Sequence, residues 1–118
     1  MANKGDIAFS AASSATNGRP ITVAATASPG TLVHTCNAGS NEVEDVEIWA
    51  SNYSTTTTRT LYLELGGTTA GDTINIQLRP MTTVTVCKIR LTSTVNIRAY
   101  ESSGADVRVW CFMERWTY

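Results

Sequence analysis

Residues 59–78 read RTLYLELGGTTAGDTINIQL. Leu61, Leu63 and Leu65 alternate with Thr60, Tyr62 and Glu64, and Ile74, Ile76 and Leu78 alternate with Asn75 and Gln77. Successive side chains of a strand point to opposite faces, so each half of the segment is a strand with one buried face. The stretch Gly66-Gly-Thr-Thr-Ala-Gly-Asp72 lies between them. A phosphate-binding loop would lead into a helix and carry a lysine. This one joins two strands and has no lysine, so it is a hairpin loop.

The same alternation extends in both directions. Upstream, Ile21, Val23 and Ala25 alternate with polar or small residues, Pro29-Gly30 marks a turn, and Thr31 to Cys36 is a short strand with Leu32 and His34 on one face and Val33 on the other. Val46, Ile48 and Ala50 then share a face opposite Asp45, Glu47 and Trp49. Downstream, Val84 and Val86 are followed by Ile89 and Leu91 with the phase slipped by one, as a bulge would do. Val95, Ile97 and Ala99 form one stripe, and Val107, Val109, Cys111 and Met113 another, opposite Arg108, Trp110 and Phe112. No stretch has a helical period, so there is no crossover helix for parallel pairing. The pattern predicts an all-β chain: one antiparallel β-sandwich, jelly-roll-like, of about eight short strands spaced roughly ten residues apart.

Residues 1–20, MANKGDIAFSAASSATNGRP, break the pattern. Beyond Met1, the only large apolar side chains are Ile7 and Phe9, too few to offset the ordering entropy of the segment. It reads as an extended N-terminal arm on a domain spanning 21–118. Two roles fit it: a mobile terminus, or an arm that orders on a partner with Ile7 and Phe9 as anchors.

Composition narrows the function. Hydrophobic residues make up 42% of the 118, enough for a packed core, while charged residues are only 16%, below the ~25% usual in globular domains. Nine Lys and Arg against ten Asp and Glu leave no basic stripe for nucleic acid. No apolar run approaches the ~18 residues of a membrane span, and Ile7 to Ala15 is too polar for a signal-peptide core. Cys36, Cys87 and Cys111 are odd in number and widely spaced, as expected of reduced, packed thiols made in a cytosol rather than a disulfide framework.

Convergent chemistry is not visible. His34 is the single histidine, with no obvious partner to orient it as a base and too few companions for a zinc site. The acidic run Glu42, Glu44, Asp45 and Glu47 has no turn-forming glycine of the calcium-loop kind and reads as a solvated loop entering a strand. We therefore expect no enzyme, no cofactor and no metal. The aromatic residues are more informative. Trp49, Tyr62, Trp110 and Phe112 lie opposite the aliphatic stripes, and in a two-sheet sandwich that places them outside, on a contact surface. For the last strand the reverse, with Trp110 and Phe112 in the core, is also open. Trp116 and Tyr118, near the C-terminal end, should dock on their own domain or on a neighbouring subunit.

Several segments carry a resemblance: Pro29-Gly30 followed by Thr31-Leu-Val-His-Thr35, Val46-Glu-Ile-Trp-Ala-Ser-Asn52, Leu63-Glu-Leu-Gly-Gly-Thr-Thr69 with Asp72, Val95-Asn-Ile-Arg-Ala-Tyr100, and the strand from Val107. Over roughly 29–115 the chain resembles small β-sandwich virion proteins of tailed bacteriophages. The shared motifs are strand and turn residues and bring no catalytic residue with them. The resemblance implies a capsid decoration, or cement, protein. It would sit on the capsid surface of the virion as a homotrimer, be made in the host cytoplasm, and bind the major capsid protein and itself, with no nucleic acid and no membrane. The partner-binding residues expected are Ile7, Phe9, Trp49, Tyr62, Trp116 and Tyr118. The alternative is a glycan-binding β-sandwich module of a phage tail or fibre, with Trp49 or Tyr62 as the platform for a sugar face. Two stretches depart from the pattern: Pro80 to Leu91, which is richer in cysteine and charge, and the aromatic tail after Arg115.

Overall fold

A computed structural model describes residues 7–12 as backbone and residues 19–92 and 95–118 in full. The described strands are β1 (Ile7–Ala12), β2 (Ile21–Thr22), β3 (Thr31–Thr35), β4 (Glu42–Asn52), β5 (Arg59–Leu65), β6 (Thr73–Leu78), β7 (Thr82–Leu91), β8 (Asn96–Tyr100) and β9 (Val107–Thr117). A single 3-10 turn, Ala70–Asp72, is the only helical element among the described residues. One sheet has the order β1-β9-β4-β7, with β2 also on β9, and the other has the order β3-β8-β5-β6. Every pairing is antiparallel.

The order is that of one long hairpin rolled up. β5 pairs β6 at its tip, then β4 pairs β7, β3 pairs β8, and β2 pairs β9. The contacts β4–β9 and β5–β8 close the roll into two sheets. This is the jelly-roll sandwich that the alternation predicts, with β4 and β9, at eleven residues each, longer than expected.

The core is built from the predicted stripes. Val46, Ile48 and Ala50 of β4 and Val107, Val109, Cys111 and Met113 of β9 face Leu61, Leu63, Ile97, Ala99 and Val33 across the sandwich. Burial of each Val or Ile side chain contributes on the order of 1.5–3 kcal/mol. Bulges account for the places where strict alternation fails. In β7 the register passes from Cys87 opposite Ile48 to Thr85 opposite Trp49, so Val86 is the extra residue behind the predicted phase slip. In β3 the register shifts between Leu32 and His34. Val33 and His34 are consequently both buried, and Leu32 is not on the His34 side as strict alternation required.

Three buried carboxylates tie loops to strands. Glu64 accepts from the Gly30 N–H (2.6 Å) and from the Ser28 hydroxyl, and Glu101 accepts from the backbone and hydroxyl of Ser103. The third, Glu44, belongs to the acidic run read as a solvated loop. That reading is corrected: the run is strand β4, and Glu44 lies on its inward face with no exposure. The approach of the Ser28–Gly30 loop is also close. A Cβ at Gly30 would lie 2.4 Å from the Ala99 carbonyl oxygen, which is backbone and cannot swing away. Gly30→Ala is therefore expected to destabilise the fold by about 1–3 kcal/mol. Thermal melts would check this against Gly71→Ala, where the added Cβ meets nothing closer than the Thr69 hydroxyl at 3.9 Å.

Part of the arm pairs with the sandwich itself. The backbone of Ile7–Ala12 lies antiparallel along β9 of its own chain, from Ile7 opposite Trp116 to Ala12 opposite Phe112. Pairing with a sheet edge supplies partners for the backbone N–H and C=O groups of the segment. The side chains of Ile7 and Phe9 lie outside the described residues.

Candidate functional site

The long pair β4–β9 sets one surface of the molecule. Its register places Trp49 opposite Trp110, Glu47 opposite Phe112, Asp45 opposite Glu114 and Val43 opposite Trp116. Because Ile48, Val46, Cys111 and Met113 are inside, all these residues lie on the outer face. The reverse assignment of Trp110 and Phe112 to the core is thereby excluded. The rings of Trp49 and Trp110 are near-parallel, 14° apart with centroids at 6.4 Å. Phe112 is 53% exposed. Beyond this pair, the Arg108 guanidinium sits 4.1 Å over the ring of Tyr53, which is itself half-exposed.

Beside Phe112 and Trp116 is a depression of about 440 Å³, also lined by Asp45, Glu47, Lys88 and Glu114. Its carboxylates are held in different ways. Arg90 grips Asp45 with two bonds (2.7 and 2.9 Å), which keeps the Asp45 carboxyl below the usual carboxylate range. Glu47 accepts from the Trp49 indole N–H at 2.8 Å, which fixes that ring on the face. With three carboxylates against Lys88, the lining is net acidic and edged by aromatic rings.

The expected partner-binding residues do not form one patch. Trp49 and Trp116 share this outer face, with Trp116 at the rim of the depression. Tyr62 lies on the outside of the other sheet, stacked on Tyr100 at 4.7 Å. Tyr118 folds back onto its own domain: its N–H donates to Asn41 and its hydroxyl to Ser40 (3.2 Å), with the side chain 57% exposed. Phe112, Trp110, Asp45, Glu47 and Glu114 complete the face. Alternation puts Asp45 and Glu47 outside but leaves β9 open in either sense; the burial of Cys111 and Met113 and the β4–β9 register settle it and make these residues neighbours.

Inside the sandwich, Glu44 of β4 joins three elements. It accepts from His34 Nε2 of β3 at 2.7 Å, from Arg115 Nη2 of β9 at 2.8 Å and from the Asn37 N–H at 3.1 Å. Burial pushes the Glu44 carboxyl upward, but these three donors outweigh it and hold it below the ordinary carboxylate value. The trio spans both sheets, so it acts as a strut between them. Cys36 is buried nearby, and burial pushes its thiol up, as it does that of Cys87; neither is poised as a thiolate nucleophile. Among the described residues no group of three or more His, Cys, Asp or Glu could hold a metal ion.

None of the three cysteines is in a disulfide. Under native conditions half-buried Cys87 should react with a thiol reagent first, and Cys36 and Cys111 only on unfolding. A titration under denaturing, non-reducing conditions should then find all three; recovery of an intramolecular disulfide would contradict this. Comparison of the chain with protein-family models, with curated proteins and with solved structures finds no match.

Proposed function

We propose that the chain is a virion decoration protein that docks on an assembled head shell through the outer face of its β1-β9-β4-β7 sheet. The observation that carries this reading is the aromatic row of that face, Trp49 and Trp110 stacked beside the half-exposed Phe112. Aromatic side chains clustered on one exposed face supply the anchors that dominate protein interfaces. The resemblance to tailed-phage virion proteins supplies the partner, the major capsid protein, and a trimeric seating. Stabilisation would follow from mass action: a chain that binds only the assembled shell favours it by RT ln(1 + [L]/Kd) in the one-site form, and many copies act together.

Mixing the purified chain with empty heads and imaging them with a label on the chain tests the proposal. Even coverage of the head, with heads that resist heat or chelation longer, is the expected result. A label confined to the tail, or no binding, overturns it. A glycan-binding role is the second reading, favoured by the depression in which carboxylates sit beside Phe112 and Trp116. Carboxylates accept from sugar hydroxyls while a ring packs against a sugar face, and a glycan array separates this reading from the first.

A further inference from the structure

Among the described residues, the sandwich has sheet edges at β1, β2 and β7 in one sheet and at β3 and β6 in the other. A bare edge is a template for another strand, and proteins usually blunt it with a bulge, a charge or a proline. All but one of these are blunted; β2 is only two residues long and follows Pro20. β1 shifts register between Ile7 and Phe9, β3 between Leu32 and His34, and β7 bulges at Val86 and carries Lys88 and Arg90. β6 is the exception. It pairs with β5 from Thr73 to Leu78 without a shift, and its sequence TINIQL has no charge and no proline. Ile74 is left 41% exposed on it.

We infer that β6 is a self-pairing edge and that its partner is β6 of a second copy of this chain, antiparallel across a two-fold axis at Ile76. The sequence is self-complementary in that register. Ile76 faces its own copy, Ile74 faces the second copy's Leu78, and Asn75 faces its Gln77. The apolar side chains thus stay on the inner side of the joined sheets and the amides on the outer side. Residues directly opposite in an antiparallel pair share a face, so a slip by one residue would set isoleucine against amide and turn one copy over.

The ends match as well. Antiparallel pairing brings the exposed Arg79 end of each strand towards the Asp72 end of the other, so the two strand ends that approach carry opposite charge. The product is a continuous sheet of eight strands, four from each copy, through an isologous contact. Such a two-fold contact is separate from a trimer's three-fold one and on a shell would join neighbouring trimers. The pairing does not depend on the shell reading.

A short edge pairs weakly, so the test traps it. In the full chain with Cys87→Ser, Ile76→Cys should give a reducible homodimer on mild oxidation, at least about tenfold faster than Ile74→Cys or Asn75→Cys alone, because only the residue on the axis meets its own copy within disulfide reach. A mixture of Asn75→Cys chains and Gln77→Cys chains, both at exposed positions, should cross-link to each other in preference to themselves. Adding Asn75→Lys and Gln77→Lys to the Ile76→Cys chain sets like charges opposite each other and should abolish the dimer. Circular dichroism confirms that each variant is folded. Equal linking at every position, linking that survives the paired lysines, or folded chains that do not link at all would overturn the inference. The last outcome would leave the edge to a strand of a different protein.

Discussion

Replacing Glu44 with alanine should destabilise the chain by about 3–5 kcal/mol, the cost of breaking a buried ionic network by removing one member. Glu44 is fully buried, and its two oxygens receive His34, Arg115 and the Asn37 N–H. Without it, His34 loses its Nε2 partner inside the core, where its Nδ1 already has none. Arg115, partly exposed, can turn towards water and recover some of the loss. Urea unfolding of the wild type and of Glu44→Ala measures the difference, and a loss under 1 kcal/mol would show that the strut does not hold the sheets together.

The same group sets an acid limit. The folded-state pKa of Glu44 lies below its ordinary value. Its contribution is therefore fully present above the unfolded carboxylate pKa of about 4.3, and it is lost as pH falls through the folded value. Glu44→Gln should flatten the fall in stability over that acid range. Asp45, also held low by Arg90, should leave a smaller residual slope.

Phe112→Ala should weaken shell attachment by roughly 30-fold or more, the effect of losing an interface anchor worth about 2 kcal/mol. Phe112 is half-exposed and leaves the core intact when truncated, so the thermal melt should stay within about 0.5 kcal/mol of wild type. Trp110→Ala should weaken attachment comparably, with some loss of stability, because its ring is packed against Trp49. Tyr62→Ala is the control: Tyr62 stands on the opposite sheet, and a single flat contact cannot include both faces. Loss of binding with Tyr62→Ala and none with Phe112→Ala would move the docking surface to the other sheet.

Period-two alternation by itself determined the fold class, because burying one side of a strand leaves a mark at every second residue. The stripes Leu61/Leu63/Leu65 and Val46/Ile48/Ala50 are core or packed against it where they were expected, and the slipped phase before Ile89 marks a real bulge. The outward placement of Trp49 follows from the same rule, whereas that of Trp110 and Phe112 was open in the sequence and is decided by Cys111 and Met113 lying inside. Alternation is silent about which strand lies beside which, so only the tertiary structure decided the rest. The β4–β9 register gathers Trp49, Trp110 and Phe112 into one face, and the β5–β8 pairing places Tyr62 on the other sheet. The bulge at β3 turns His34 inward to meet Glu44, a residue that local sequence, reading only the run of acids, assigned to solvent. Buried charge of this kind depends on partners ten and seventy-one residues away, and no local pattern records a partner at that distance.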